Sequence, residues 1–134
     1  MERLNIRTQS RTDFQDITPE VQDIISRNDI NNGICHIFIP HTTAGVTINE
    51  HADPSVMEDI AAQMENLAPQ HGNYRHMEGN SPAHMKSSLV GNTATVFVEQ
   101  EKLVMGTWQG IFFCEFDGPR TRSVLVKVTA DQTG

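Results

Sequence analysis

Long apolar runs are missing from this chain of 134 residues. No stretch approaches the roughly 20 residues that a membrane-spanning helix needs, so no membrane association is expected. The opening MERLNIRTQSR also lacks the apolar centre of a secretion signal. Basic residues are few. Ten Lys and Arg face 17 Asp and Glu, for a net charge of −7, and the bases are scattered singly. A nucleic-acid binder normally gathers them on one face to neutralise phosphates, so nucleic acid is not an expected partner. Cysteine is scarce as well. Cys35 and Cys114 each sit inside an apolar run, GICHIFI and GIFFCEF, and read as reduced core residues of a cytoplasmic protein rather than as a disulfide. No GxSxG elbow, GxxxxGK[ST] phosphate loop or basic neighbour to either cysteine occurs, which argues against a triad hydrolase and a nucleotide-cradling NTPase. Repeats, low-complexity tracts and linkers are absent too, so the chain reads as one domain, 1–134. That length can bury a core without disulfide or metal staples, and 37% apolar residues exclude a disordered chain.

What is present is a run of short periodic segments. Arg3 to Thr8 alternates with Leu4 and Ile6 on one face, and Phe14 to Ile17 is a second short strand. Thr18-Pro19 then offers a helix cap followed by proline; Val21, Ile24 and Ile25 follow at helical spacing, and Asn31-Asn32-Gly33 stops the helix. Residues 34–39 read as a central strand and 45–49 as a shorter alternating one. Asp53-Pro54 repeats the cap signal ahead of a stripe of Val56, Ile60, Met64 and Leu67, closed by Pro69. Residues 70–80 are loop, and Ser81-Pro82 opens a third helix that ends near Val90 before Gly91-Asn92. Four strands follow at 93–99, 102–105, 108–116 and 122–129. Strands at both ends with helices bunched between them predict α+β, a mostly antiparallel two-layer or folded sheet of about seven to eight strands with three helices.

The loops of the middle third carry the chemistry-bearing residues: His41, Thr42, Thr43, Asn49, Glu50, His51, Asp53, His71, His76, Glu78, Asn80 and His84. Singly, each suits a cap or a turn. Together they point to a site, because loops held by a scaffold are where accessible functional groups concentrate. His84 falls in a first helical turn, where the helix dipole disfavours imidazolium and leaves the neutral ring that a metal requires. Three histidines with an open fourth position would make a catalytic zinc site, although no compact ligand motif such as HExxH is present. His36 reads as structural on a strand face, and His51 and His71 as solvated. The helix N-termini after Asp53 and Ser81 are candidate anion sites. Arg120 and Arg122 read as solvated residues on the turn marked by Asp117-Gly118-Pro119.

The segments HTTAGVTINE (41–50), ADP (52–54), HMEGNS (76–81), AHMK (83–86), GTWQG (106–110) and EFDGPR (115–120) together resemble the YjbQ family, often named secondary thiamine-phosphate synthase. The resemblance runs over essentially the whole chain. It implies an α+β two-layer fold assembled as a homotrimer, with sites in clefts near the subunit interfaces. It also implies a divalent metal on His41, His76 and His84, zinc by ligand type; members often have asparagine in place of His51, which is therefore left out of the ligand set. The match further raises Asn49, Asp53, Asn80, Gln109 and Asp117 as substrate-binding residues, with Thr42, Thr43 and Trp108, and Glu50, Glu78, Lys86 and Arg120 as catalytic ones.

The activity implied is the joining of hydroxymethylpyrimidine diphosphate to thiazole phosphate with release of pyrophosphate. Departure of pyrophosphate calls for cations such as Lys86, Arg120, Arg122 or a metal, with magnesium the usual ion for that role. Aromatic walls such as Trp108 or Tyr74 would keep water from the pyrimidinyl-methyl cation. Two alternatives stand beside this: a metal-dependent hydrolase with Glu78 or Glu50 as general base, and a non-catalytic metal- or small-ligand-binding protein.

Overall fold

Strands gather at both ends of the chain and helices in its middle. The computed structural model describes residues 1–132. Its order is β1 (Glu2–Arg7), β2 (Asp13–Asp16), α1 (Thr18–Arg27), β3 (Gly33–Phe38), β4 (Ala44–Glu50), α2 (Pro54–Leu67), α3 (Ser81–Val90), β5 (Thr93–Glu99), β6 (Lys102–Leu103), β7 (Gln109–Glu115) and β8 (Thr121–Ala130). The eight strands form two antiparallel sheets, one of five strands ordered β1-β8-β3-β5-β6 and one of three ordered β2-β7-β4. The expected α+β architecture is the one observed.

Two strand sequences that look alike behave differently. β7 (QGIFFCE) is buried at every position after Gln109, because both faces of the small sheet are covered. Ile111 and Phe113 point into the main core, which also takes Cys35, Ile37, Val124 and Val126 from the large sheet and Val21, Ile24 and Ile25 from α1. Phe112 and Cys114 join Phe116 in a second cluster with Met57 and Met64 of α2 and Ala83 of α3. β3 (GICHIF) alternates instead: Cys35 and Ile37 are buried while His36 and Phe38 are exposed on the outer face. The strand is central in pairing but covered on one side only. Both cysteines are free and fully buried, as expected.

The helix starts hold small corrections. Thr18 does not cap α1; the Asp16 carboxylate two residues earlier accepts from the Thr18 amide and hydroxyl, at 3.0 and 2.6 Å. The helix ends at Arg27, with the Asn28 amide bonded back to Ile24 and Ile25, before the expected stop at Asn31. Asp53 does cap α2, accepting from the Ser55 amide at 3.0 Å. α3 starts after Asn80, whose side chain makes no cap bond.

The chain changes sheet repeatedly at one end of the molecule. Residues 8–12 lead from β1 to β2, 39–43 from β3 to β4, and 116–120 from β7 back to β8. Gly118 lies in the last of these, where a Cβ would stand 2.4 Å from the Ser10 carbonyl oxygen and 2.8 Å from both Glu115 Cγ and Thr8 Oγ1. The crossings are thus laced closely together, and only a glycine fits at that point.

Phe113 is the largest side chain wholly enclosed between the sheets. Phe113→Ala is expected to cost about 3–5 kcal/mol, read as a lowered urea midpoint with an unchanged slope.

Candidate functional site

At the end where the chain changes sheet, residues 38–43, the start of α3 with the loop before it, and residues 117–122 enclose a cavity of about 700 Å³. Its lining includes nine of the residues expected in a site: His41, Thr42, Thr43, His76, Glu78, Asn80, His84, Asp117 and Arg120. Phe38, Asn92 and Arg122 complete much of the wall.

Beneath it lies a buried ion pair. Arg122, placed on the sequence as a solvated turn residue, is the second residue of β8 and only 4% exposed. Its guanidinium meets Glu115, which is fully buried. Arg122 Nε donates to Glu115 Oε1 at 2.8 Å, and Nη2 donates to Glu115 Oε2, to Thr43 Oγ1 at 2.8 Å and to the Thr43 carbonyl at 3.3 Å. Thr8 Oγ1 donates to Glu115 Oε1 at 2.8 Å, and the Asp117 amide to Oε2 at 3.0 Å. Burial alone would raise the Glu115 pKa, but the bonds from Arg122, Asp117 and Thr8 hold it below the ordinary value. Glu115 was missed as a site residue; a lone carboxylate inside an apolar strand was its signal.

Asp117 organises the mouth. Its Oδ2 accepts from Asn80 Nδ2 at 2.9 Å and from Arg120 Nη2 at 3.1 Å, and its carbonyl accepts from Arg120 Nε at 2.9 Å. Asn80 is therefore drawn away from capping α3, and its Oδ1 is buried without a partner among the described residues. The anion-site expectation for the helix starts weakens in parallel. Asp53 occupies the start of α2, Pro82 has no amide hydrogen, and the Ala83 and His84 amides both donate to the Asn80 carbonyl.

The three histidines line one cavity but differ in state. His41 Nε2 accepts the Ser123 backbone amide at 2.9 Å. An amide can only donate, so Nε2 carries no proton and the neutral ring bears it on Nδ1. Burial, then the neighbouring Arg122, with a smaller effect from Arg120, lower the His41 pKa, and Glu115 opposes them less strongly. The His76 and His84 rings meet edge to face with centroids 5.2 Å apart, and His76 Nε2 stands 3.9 Å from Glu78 Oε2. His41 does not fit as a third zinc ligand beside them, because its one basic nitrogen is already engaged. Among the described residues no three His, Cys, Asp or Glu side chains gather as a ligand group.

The remaining expected residues lie elsewhere. Lys86 is buried against α2, its Nζ 2.5 Å from Glu65 Oε2. Glu50 sits at the end of β4 beside a second cavity of about 360 Å³ that also contains His51, Asp16 and Glu58. His51 is not simply solvated, for its Nδ1 lies 2.9 Å from Asp16 Oδ2. Asn49 turns its carbonyl oxygen to the Glu50 amide, and Gln109 accepts from the Gly106 amide at 2.8 Å. Trp108 is 63% exposed, and Tyr74 donates to the Pro69 carbonyl; neither lines the main cavity. No helix among the described residues is long and apolar enough to cross a membrane.

A family model described as UPF0047 protein YjbQ-like matches residues 2–131. A UPF0047 protein of Methanocaldococcus jannaschii is 50% identical over 130 residues, 97% of this chain and 94% of that protein. UPF0047 protein YugU of Bacillus subtilis is 50% identical over 129 residues, 96% of this chain and 98% of the relative. Among solved structures, an uncharacterised conserved YjbQ/UPF0047 protein of Clostridium acetobutylicum superposes with a TM-score of 0.95 at 45% identity, covering 96% of this chain and 100% of that one. A protein of unknown function from Sulfolobus solfataricus does so with a TM-score of 0.93 at 34% identity, covering 97% and 96%. The fold is thus the YjbQ-like α+β fold. The chain belongs to the YjbQ family.

The burial of His41 beside Arg122 has a consequence for pH. The folded ring resists a proton that the unfolded ring accepts near its ordinary value of about 6.5. Unfolded chains therefore bind more protons below that value, so this part of the stability is complete above about pH 6.5 and is lost as pH falls toward the folded pKa. The depressed Glu115 acts lower, contributing above its ordinary value of 4.5 and failing as pH drops through its folded one. Urea midpoints should decline in two stages on acidification, and His41→Asn should remove much of the first.

Proposed function

We propose that the cavity is the active site of a transferase of the thiamine-phosphate synthase type, joining a hydroxymethylpyrimidine diphosphate to a thiazole phosphate. The reading rests on one observation: three histidines, two arginines, Asn80 and Asp117, drawn from three separate stretches of chain, line a single polar cavity. Its volume is in the range of small-molecule sites.

In this reaction the bond from the pyrimidine methylene carbon to diphosphate oxygen breaks, and its electron pair leaves with pyrophosphate. The thiazole nitrogen then supplies the pair that forms the new carbon–nitrogen bond. Charge builds on the departing oxygens, so the residues needed are fixed donors. Arg120, held by the carboxylate and carbonyl of Asp117, is one; His41, a neutral Nδ1–H donor, is another. His76 and His84 are proton carriers beside the leaving group, and Glu78 stands at the rim next to His76. Magnesium enters as the counter-ion of the diphosphate substrate, and no three-histidine zinc site is invoked.

Exclusion of water falls to the assembly. Phe38 is an aromatic residue of the cavity wall and also belongs to the outer face of the large sheet, where it is 42% exposed, with Phe97 at 63% and Val104 at 47%. Ile34 pairs with Phe97 in register on that face. Exposed apolar side chains on this face suit subunit packing, and the homotrimer would cover them and close the cavity beside Phe38.

Two outcomes test this reading. Pyrophosphate release should require the thiazole phosphate and fall about a hundredfold or more in kcat/KM for Arg120→Ala; release with water alone, or none, removes the transfer reaction. Light scattering should give the mass of three chains, and Phe97→Asp should give single folded chains that no longer turn over.

A further inference from the structure

Three of the five N–H groups of the Arg122 guanidinium are spoken for, yet one nitrogen is not. Nε and Nη2 are taken by Glu115 and Thr43, while Nη1 makes no hydrogen bond among the described residues. It is not sealed off, since the only buried unpartnered side-chain polar atom among the described residues is Asn80 Oδ1. Arg122 is 4% exposed and lines the main cavity, so the little surface it retains includes Nη1. A buried guanidinium whose last two N–H groups open into a polar cavity lacks an acceptor there.

His41 adds a second donor of the same kind. Ser123, next to Arg122 in the chain, occupies His41 Nε2, which leaves Nδ1–H as the free polar group of a ring that also lines the cavity. The two donors are tied into one unit: Arg122 grips Thr43, two residues after His41, while the Ser123 amide grips His41. Glu115, saturated by four hydrogen bonds, balances the charge from the far edge of the guanidinium. The pair therefore presents its positive end to the cavity.

We infer that the inner end of the cavity is a subsite for one phosphoryl group, in which Arg122 Nη1 and His41 Nδ1–H are the donors. A guanidinium nitrogen with two free N–H groups and an imidazole N–H, lining one cavity, can together donate to the oxygens of a phosphate monoester. The inference rests on the reading that this cavity handles phosphorylated substrates, and it names the group that places them.

The test is calorimetric titration of the full chain with inorganic phosphate at neutral pH. Wild type should bind, and His41→Ala and Arg122→Lys should each bind roughly tenfold more weakly or worse, the loss expected for a hydrogen bond to a charged group. The lysine keeps the charge but has no second edge to offer once it faces Glu115. Because Arg122 is buried, circular dichroism must show that each variant is folded; if Arg122→Lys is not, His41→Ala carries the comparison. In wild type, the His41 Nδ1 nitrogen resonance should move on phosphate addition while keeping the shift of a protonated nitrogen. Absence of binding by wild type, or equal affinity in the folded variants, overturns the subsite. Phosphate binding that depends on both residues in a protein that releases no pyrophosphate leaves the subsite standing and removes the transfer reaction. Turnover with unchanged phosphate affinity in both variants does the reverse.

Discussion

A guanidinium and a carboxylate shut away from water hold in one arrangement the end of this molecule where the chain changes sheet. Arg122 and Glu115 belong to different sheets, and their shared bonds take in Thr8 at the end of β1, Thr43 before β4 and the Asp117 amide. Such a pair is a poor source of net stability, because desolvation offsets most of the attraction. Its influence lies in intolerance: removing either partner strands a charge and costs about 3–5 kcal/mol. Three of the places where the chain crosses between sheets are therefore held together by a group that cannot be half satisfied.

That constraint explains why the cavity lies where it does. Elsewhere the inner faces of the two sheets meet through Val, Ile and Phe side chains and leave no room. At the crossing end the strands give way to short connections whose backbone groups need polar partners. The result is a concave, polar region whose walls come from residues distant in sequence. It resembles the switch points of other layered folds only in that a change of direction leaves space for a ligand.

The fold was legible for a simple reason: each element carries its own period and punctuation. Pro19, Pro54 and Pro82 mark the three helix starts, and every expected strand is present within a residue or two. What periodicity could not reveal was how many faces of a strand are covered. GICHIFI and GIFFCEF read alike, yet the outer face of β3 is open while β7 is enclosed by a helical layer that only tertiary packing supplies. The site was legible in composition more than in role. Nine expected residues share the cavity, but Lys86, Glu50, Asn49, Asp53, Trp108 and Gln109 do not line it. Arg122 beside Arg120 looked like one more residue of a polar turn; a strand was expected from 122, but its polar first residue was not read as turning inward. The engagement of His41 Nε2 was equally hidden, for it depends on a backbone amide 82 positions away.

The two cysteines lie in different layers of the molecule. Cys35 lies in the core between the sheets and Cys114 in the cluster under α2 and α3. Burial pushes their thiols up to about 11 and about 12, so neither supplies appreciable thiolate while its surroundings stay closed. An alkylating reagent can therefore reach each sulfur only through an opening of the layer that contains it. The chain carries two native reporters of breathing, one for lifting of the helices and one for parting of the sheets, and their labelling rates would time the two motions separately.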